Sequence, residues 1–91
     1  MKKAYTILIQ GRVQGVGFRW FTQQNAQRFS IEGHVINLDS GDVEVFAQGD
    51  EKNIQEFMAQ LKKGPSFARV TNVIINDENV NNNLNYFKVK H

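Results

Sequence analysis

The feature that most limits how this chain folds is a glycine-rich stretch, Gly11–Arg19 (GRVQGVGFR), that separates two different periodic patterns. Residues 5–10 alternate as a β-strand does, and apolar side chains from Phe18 to Phe29 recur at helical spacing. The three glycines of the stretch allow a tight turn in which several backbone N–H groups converge on one point. The N-terminus of the helix that follows adds partial positive charge. The stretch therefore predicts a strand–loop–helix unit that binds an anion.

Arg19, the last residue of the stretch, carries a planar set of N–H donors that matches the oxygen atoms of a phosphate. Two other phosphate loops are excluded. No Lys-Ser or Lys-Thr follows, as a nucleoside-triphosphate loop requires, and Trp20 occupies the position of the third glycine of a dinucleotide fingerprint. The alternative for Arg19 is an ordinary surface salt bridge. The predicted phosphate-binding residues are Gln14, Gly15, Val16, Gly17, Phe18 and Arg19.

The composition predicts one globular domain, residues 1–91, with a single modest core. The chain has no cysteine, which excludes disulfides, thiolate catalysis and zinc–thiolate sites and favours a reducing compartment. No apolar stretch approaches the length of a membrane span, so we expect a cytoplasmic protein without a membrane partner. A net charge of +2 suits an anionic small molecule and is weak evidence for nucleic acid. His34 and His91 are isolated in sequence, so no metal site is predicted.

The remaining elements complete the order β-α-β-β-α-β with a short terminal strand. Strands are predicted over residues 5–10, 34–38, 43–48, 70–76 and 86–90. A first helix is predicted from Phe18 or Trp20 to Phe29, and a second from an Asp50 N-cap to Gly64-Pro65. The asparagine-rich segment 77–85 is predicted to be a mobile polar loop. This order predicts an α+β two-layer sandwich, with two helices on one face of a mainly antiparallel sheet.

The crossover through the first helix has a consequence for the site. It returns the chain so that strands one and two run parallel, and their C-terminal ends then lie at the same edge of the sheet. The glycine-rich stretch leaves strand one at that edge, and Asn37 ends strand two there. We therefore expect Arg19 and Asn37 to lie close together, where ligand sites tend to form. On spacing alone, a cap for the turn that follows is the better interpretation of Asn37.

Two separated stretches resemble the signatures of the acylphosphatase family. Residues 9–19 (IQGRVQGVGFR) match the first without a departure, and residues 33–37 (GHVIN) resemble the second. Family positions are also occupied by Gly41, Val43, Gly49, Gly64, Pro65, Ala68 and Val70, so the resemblance extends from Tyr5 to Val89.

The resemblance implies a ferredoxin-like sandwich that hydrolyses acyl phosphates to a carboxylate and phosphate. It implies no metal or organic cofactor. The phosphate-binding arginine of the family corresponds to Arg19, and the asparagine that positions the attacking water corresponds to Asn37. The expected partner is therefore a small acyl phosphate, with no nucleic acid, and nothing in the sequence requires more than a monomer.

Four positions depart from the family pattern. His34 stands where the family usually has an aromatic residue, and Ile36 where it commonly has a polar or basic one. Ser30-Ile31 replaces the usual Gly-Leu after the first helix. If Ser30 adopts a left-handed conformation, we expect a strain of roughly 1–2 kcal/mol.

Two other functions share these features. RNA-recognition domains have the same element order, and residues 15–21 (GVGFRWF) echo their aromatic motif, but the leading basic residue is missing and the segment precedes a helix. A catalytically idle partner module is the second alternative, since hydrogenase-maturation carbamoyltransferases carry an acylphosphatase-like module. Hydrolysis of an acyl phosphate would distinguish an enzyme from both of these alternatives.

Overall fold

The computed structural model describes residues 1–91 and contains the predicted order of elements. Its elements are β1 (Lys2–Arg12), α1 (Phe18–Arg28), β2 (Glu32–Asn37), β3 (Val43–Asp50), α2 (Glu51–Lys63), β4 (Arg69–Glu78) and β5 (Phe87–Lys90). The largest difference from the predicted bounds is in β1, which begins at Lys2 rather than at Tyr5. Lys2 pairs with Asp50 and Lys3 with Gly49, so the ladder to β3 continues beyond the alternating apolar residues.

The five strands lie in the order β4-β1-β3-β2-β5. Strands β1 and β2 both pair antiparallel with β3, so they run parallel to each other, as the crossover predicts. Only β2 and β5 form a parallel pair. Two helices on a mainly antiparallel five-stranded sheet form the predicted α+β, ferredoxin-like sandwich.

The core lies between the helices and one face of the sheet. An apolar stripe of α2 is buried, and it consists of Ile54, Phe57, Met58 and Leu61. The sheet contributes Ile7, Ile9, Val35, Val43 and Val45, all fully buried. Burying a side chain of this size contributes about 1.5–3 kcal/mol. The other face of the sheet carries half-buried side chains such as Phe46 and His34 and has no helix against it. We call it the open face.

The ends of the two helices depart from the simplest expectation. Asp50 precedes α2, but its carboxylate accepts a hydrogen bond from the Met1 amino group at 3.1 Å and none from the helix. After α1, Ser30 has φ 57°, the left-handed conformation anticipated from the sequence. The Ile31 N–H donates to Ala26 O at 2.8 Å, so the helix ends as it would with glycine at position 30.

The asparagine-rich segment is shorter and more tightly held than predicted. β4 continues to Glu78, which leaves residues 79–86 as the loop before β5. The fully buried Gln48 side chain donates to Asn81 O at 2.9 Å and accepts from the Asn81 N–H at 2.8 Å. These anchors lie far apart in sequence, so the composition of the loop did not reveal them.

Candidate active site

A cavity of about 410 Å³ lies at the edge of the sheet where β1 and β2 end. It is lined by Val13, Gly15, Gly17, Phe18, Arg19, Trp20, Gln23, Asn37, Val89 and His91. We call it the Arg19 cavity. Arg19 and Asn37, 18 positions apart in the sequence, thus face the same space.

The floor of the Arg19 cavity is main chain. Gly15 and Gly17 have φ 73° and 78°, values that other residues rarely adopt, and open space surrounds the position of a Cβ at each. Gly17 immediately precedes α1, whose first turn leaves backbone N–H groups without partners inside the helix. Phe18 is only 2% exposed, and its burial fixes this helix end against the core. The result is a helix N-terminus that opens into the cavity and favours an anion.

Arg19 is held by the last strand rather than by a carboxylate. Its Nη1 donates to Lys90 O at 3.0 Å and lies 3.0 Å from His91 Nδ1. The two ion pairs of the structure, Met1–Asp50 and Lys2–Glu32, lie elsewhere, so the salt-bridge alternative is wrong. A guanidinium has five N–H donors, and those on Nη2 and Nε remain free for a ligand. No acidic residue lines the cavity.

Asn37 lines the same cavity and carries an unsatisfied acceptor. It is the last residue of β2 and pairs with Val43 of β3. Its Oδ1 is buried and has no hydrogen-bond partner within the protein, so it does not cap the following turn. Leaving a buried polar atom unpaired costs about 1–3 kcal/mol, and such an atom in a native fold calls for a functional reason.

Two residues predicted to bind phosphate, Gln14 and Val16, are not among those that line the cavity. Gln14 Nε2 donates to Leu38 O at 2.7 Å and to Asp42 O at 2.9 Å. Its side chain therefore ties the glycine-rich loop to the turn that follows Asn37. A contribution of Gln14 and Val16 to phosphate binding through their backbone stays a prediction.

The structure adds residues that the sequence did not indicate. Trp20, 66% exposed, and Val89 give the Arg19 cavity apolar surface. Gln23 follows Arg19 by four residues, so helical spacing alone was sufficient to place both on one face of α1. His91 reaches Arg19 only because β5 pairs with β2, and no local pattern indicates that pairing.

Neither helix has the length and apolar character needed to cross a membrane. No group of three or more His, Asp or Glu side chains is arranged as a metal-ion site.

The family model described as Acylphosphatase matches residues 5–89. An acylphosphatase of Clostridium acetobutylicum is 40% identical over 89 residues, which cover 98% of this chain and 98% of the relative. One of Thermotoga maritima is 44% identical over 75 residues, covering 82% and 83%.

The crystal structure of acylphosphatase from Bacillus subtilis superimposes with a TM-score of 0.93 at 36% sequence identity. The alignment covers 100% of both chains. The architecture of the sheet, the family model and the curated relatives all agree. The chain therefore belongs to the acylphosphatase family of hydrolases.

Proposed function

We propose that the Arg19 cavity is the place where this chain hydrolyses acyl phosphates. The backbone N–H groups between Gly15 and Phe18, together with the Arg19 guanidinium, hold the non-bridging phosphate oxygens. Asn37 orients the attacking water. The observation that carries this assignment is that Asn37 lines the same cavity as a guanidinium with free donors.

The reaction needs charge stabilisation and alignment more than covalent catalysis. Water attacks phosphorus in line with the leaving oxygen, the bond from phosphorus to the carboxyl oxygen breaks, and the electron pair leaves on the carboxylate. A carboxylate is a stable anion, so no general acid is required. The proton of the water passes to the substrate phosphate, and the products are a carboxylate and inorganic phosphate.

Different parts of the cavity bind the phosphate and the acyl group of the substrate. Phosphate occupies the end formed by the glycine-rich loop, because main-chain donors and Arg19 converge there. The acyl group lies against Trp20 and Val89, the apolar part of the lining. We propose that residues 1–91 act as one domain, as a cytoplasmic monomer and without a metal ion; the lack of cysteine supports a reducing compartment.

The test is steady-state hydrolysis of benzoyl phosphate in the presence of EDTA. We expect turnover that survives chelation and is inhibited competitively by inorganic phosphate. Asn37→Ala should lower kcat by about 10²–10³-fold with little change in KM, the usual effect of losing one preorganised polar group. Asn76→Ala is the matched control, because Asn76 is exposed on β4 and its side chain makes no hydrogen bond.

Four results would contradict the proposal. Loss of activity in EDTA would show that the reaction needs a metal ion. A wild-type rate in Asn37→Ala would show that Asn37 does not orient the attacking water. Inactivity towards several acyl phosphates would favour an idle partner module. An RNA-binding module would instead show tight, sequence-dependent RNA binding without hydrolysis.

A further inference from the structure

A second cavity, of about 370 Å³, opens on the sheet face that no helix covers. Phe46, His34 and Lys88 occupy paired positions on β3, β2 and β5 and all line it. Their chain neighbours Val45 and Val35 are fully buried in the core, so the three side chains project from the open face. We call this space the open-face cavity. It shares no lining residue with the Arg19 cavity.

Two aromatic rings, those of His34 and Phe46, line the open-face cavity. The rings of His34 and Phe46 lie 5.9 Å apart between centroids and are inclined by only 24°. Burial, with the nearby Lys90 charge, lowers the pKa of His34 and so favours its neutral imidazole. Flat, uncharged rings on neighbouring strands are a surface on which nucleobases stack.

One side of the open-face cavity is cationic. Lys88 and Lys90 are alternate residues of β5, so they lie on the same face of the strand, about 7 Å apart along it. Neither forms an ion pair, and no acidic residue lines the cavity. The two ammonium groups therefore present positive charge to whatever fills the space. An anionic group is the occupant that this charge favours.

The opposite wall is the loop of residues 79–86, and it is fixed in place. Gln48 holds Asn81 through two hydrogen bonds, and the Gly33 N–H donates to Tyr86 O at 2.9 Å. Asn79 and Asn81 line the cavity from this loop. A carboxamide carries both a donor and an acceptor, as does the polar edge of a nucleobase. The loop thus adds polar recognition to a cavity that already has rings and cations.

We propose that the open-face cavity binds a mononucleotide. The base stacks on the His34–Phe46 ring pair, Asn79 and Asn81 contact its polar edge, and the phosphate lies between Lys88 and Lys90. The volume falls within the range of small-molecule sites, about 300–1,000 Å³.

A nucleic-acid strand fits this surface less well than a single nucleotide. Beyond the cavity, the strands of the sheet carry Glu32, Glu44 and Glu78, and a polyanion laid across it would meet their charges. The lysines that line the cavity, Lys88 and Lys90, both belong to β5, and Lys2 is paired with Glu32.

The experiment is an NMR titration of the ¹⁵N-labelled full chain with adenosine 5′-monophosphate. We expect shifts concentrated at Phe46, His34 and Lys88. Affinity should fall at least about tenfold in Phe46→Ala, which removes a stacking ring. Affinity should fall comparably in the double variant Lys88→Gln/Lys90→Gln. Because this variant keeps both rings, it tests the proposal even if Phe46→Ala fails to fold.

Two control variants show which cavity the nucleotide occupies. Lys62→Gln/Lys63→Gln removes two exposed lysines from the end of α2 and should leave affinity unchanged. Arg19→Ala should also leave it unchanged, because the Arg19 cavity is separate. Shifts confined to residues 13–20, or affinity lost in Arg19→Ala, would overturn the proposal. So would equal shifts at Phe46, His34 and Lys88 with inorganic phosphate alone, or tighter binding of an RNA hexamer spread over the whole sheet face.

Discussion

The two cavities of this protein are both suited to anions, but they are built by different means. The Arg19 cavity uses main chain: two glycines with positive φ and a helix N-terminus, completed by Arg19 and Asn37. The open-face cavity uses side chains from β2, β3, β5 and the loop of residues 79–86. The first holds its donors in fixed positions through the backbone. The second relies on longer side chains that reach into an exposed space.

This difference predicts different chemistry. Preorganised main-chain donors stabilise charge that develops during a reaction, because they need no rearrangement. Exposed lysines on a strand bind an anion but reorganise easily and are screened by salt. The Arg19 cavity is therefore suited to turnover and the open-face cavity to reversible binding. Variants that alter one cavity and leave the other intact test this separation.

The largest expected effect comes from Arg19→Ala. It removes the only Lys or Arg side chain that lines the Arg19 cavity, and no Asp or Glu lines it. Because charge-assisted donors are about twice as strong as neutral ones, kcat/KM for benzoyl phosphate should fall by about 10³-fold or more. Binding of adenosine 5′-monophosphate should be retained. Near-wild-type hydrolysis, or loss of both functions together, would break the separation of the two cavities.

Gln14→Ala should have an intermediate effect, also confined to the Arg19 cavity. It removes the hydrogen bonds to Leu38 O and Asp42 O that join the glycine-rich loop to the turn after Asn37. We expect unfolding to become easier by about 1–2 kcal/mol and kcat to fall roughly tenfold, because the loop and Asn37 lose their alignment.

Urea unfolding and steady-state kinetics measure the two effects of Gln14→Ala. Gln55→Ala, on the exposed side of α2, is the matched control. A stability loss without any change in kcat would mean that the Gln14 side chain supports the fold and not the site.

The contrast between the cavities also explains what the sequence could reveal. The glycine-rich loop and Arg19 are contiguous, and the handedness of a strand–helix–strand crossover places Asn37 at the same edge. The contacts of Arg19 with Lys90 and His91 depend on the parallel pairing of β5 with β2, which no local pattern encodes. Elements and topology were therefore accessible, whereas contacts made through the register of β5 were not.

Side chains that bond to main-chain carbonyls were equally hidden. Gln14 finds its acceptors at Leu38 and Asp42, and Gln48 finds its partners on the backbone of Asn81. Every residue offers the same carbonyl, so the identity of the acceptor leaves no trace in the sequence. The anchored loop, and with it the open-face cavity, was missed for this reason.

Ser30→Gly should change stability while leaving both cavities untouched. Ser30 lies between α1 and β2 with φ 57°, where a Cβ is strained and glycine is not. After allowing for the greater backbone entropy of unfolded glycine, we expect a gain of about 0.5–1 kcal/mol, or roughly 2–8 °C in Tm. Scanning calorimetry measures it, with Ser66→Gly as the control at an exposed site without a positive φ. A lower Tm would show that the serine is better adapted to this cap than its conformation indicates.

The smallest effect concerns the open-face cavity alone, and it depends on pH. Burial, followed by the charge of Lys90, lowers the pKa of His34, while Glu44 opposes this shift and Lys88 is its cross-strand neighbour. The folded protein therefore binds this proton less readily than the unfolded chain. Stability is complete above the ordinary pKa of 6.5 and declines as the pH falls below it.

His34→Phe removes that titration and keeps a flat ring against Phe46. Urea unfolding at pH 8, 7, 6 and 5 should show the variant losing less stability than the wild type on acidification. Glu32, whose pKa is lowered from the ordinary 4.5 by hydrogen bonds from Lys2 and Gln48, is present in both proteins, so its contribution cancels in the comparison. Nucleotide binding should persist in the variant, since stacking needs the ring and not its nitrogen atoms. Parallel stability curves for the two proteins would show that His34 titrates alike in the folded and unfolded states. Loss of nucleotide binding in the variant would show that the imidazole nitrogens, and not the face of the ring, recognise the base.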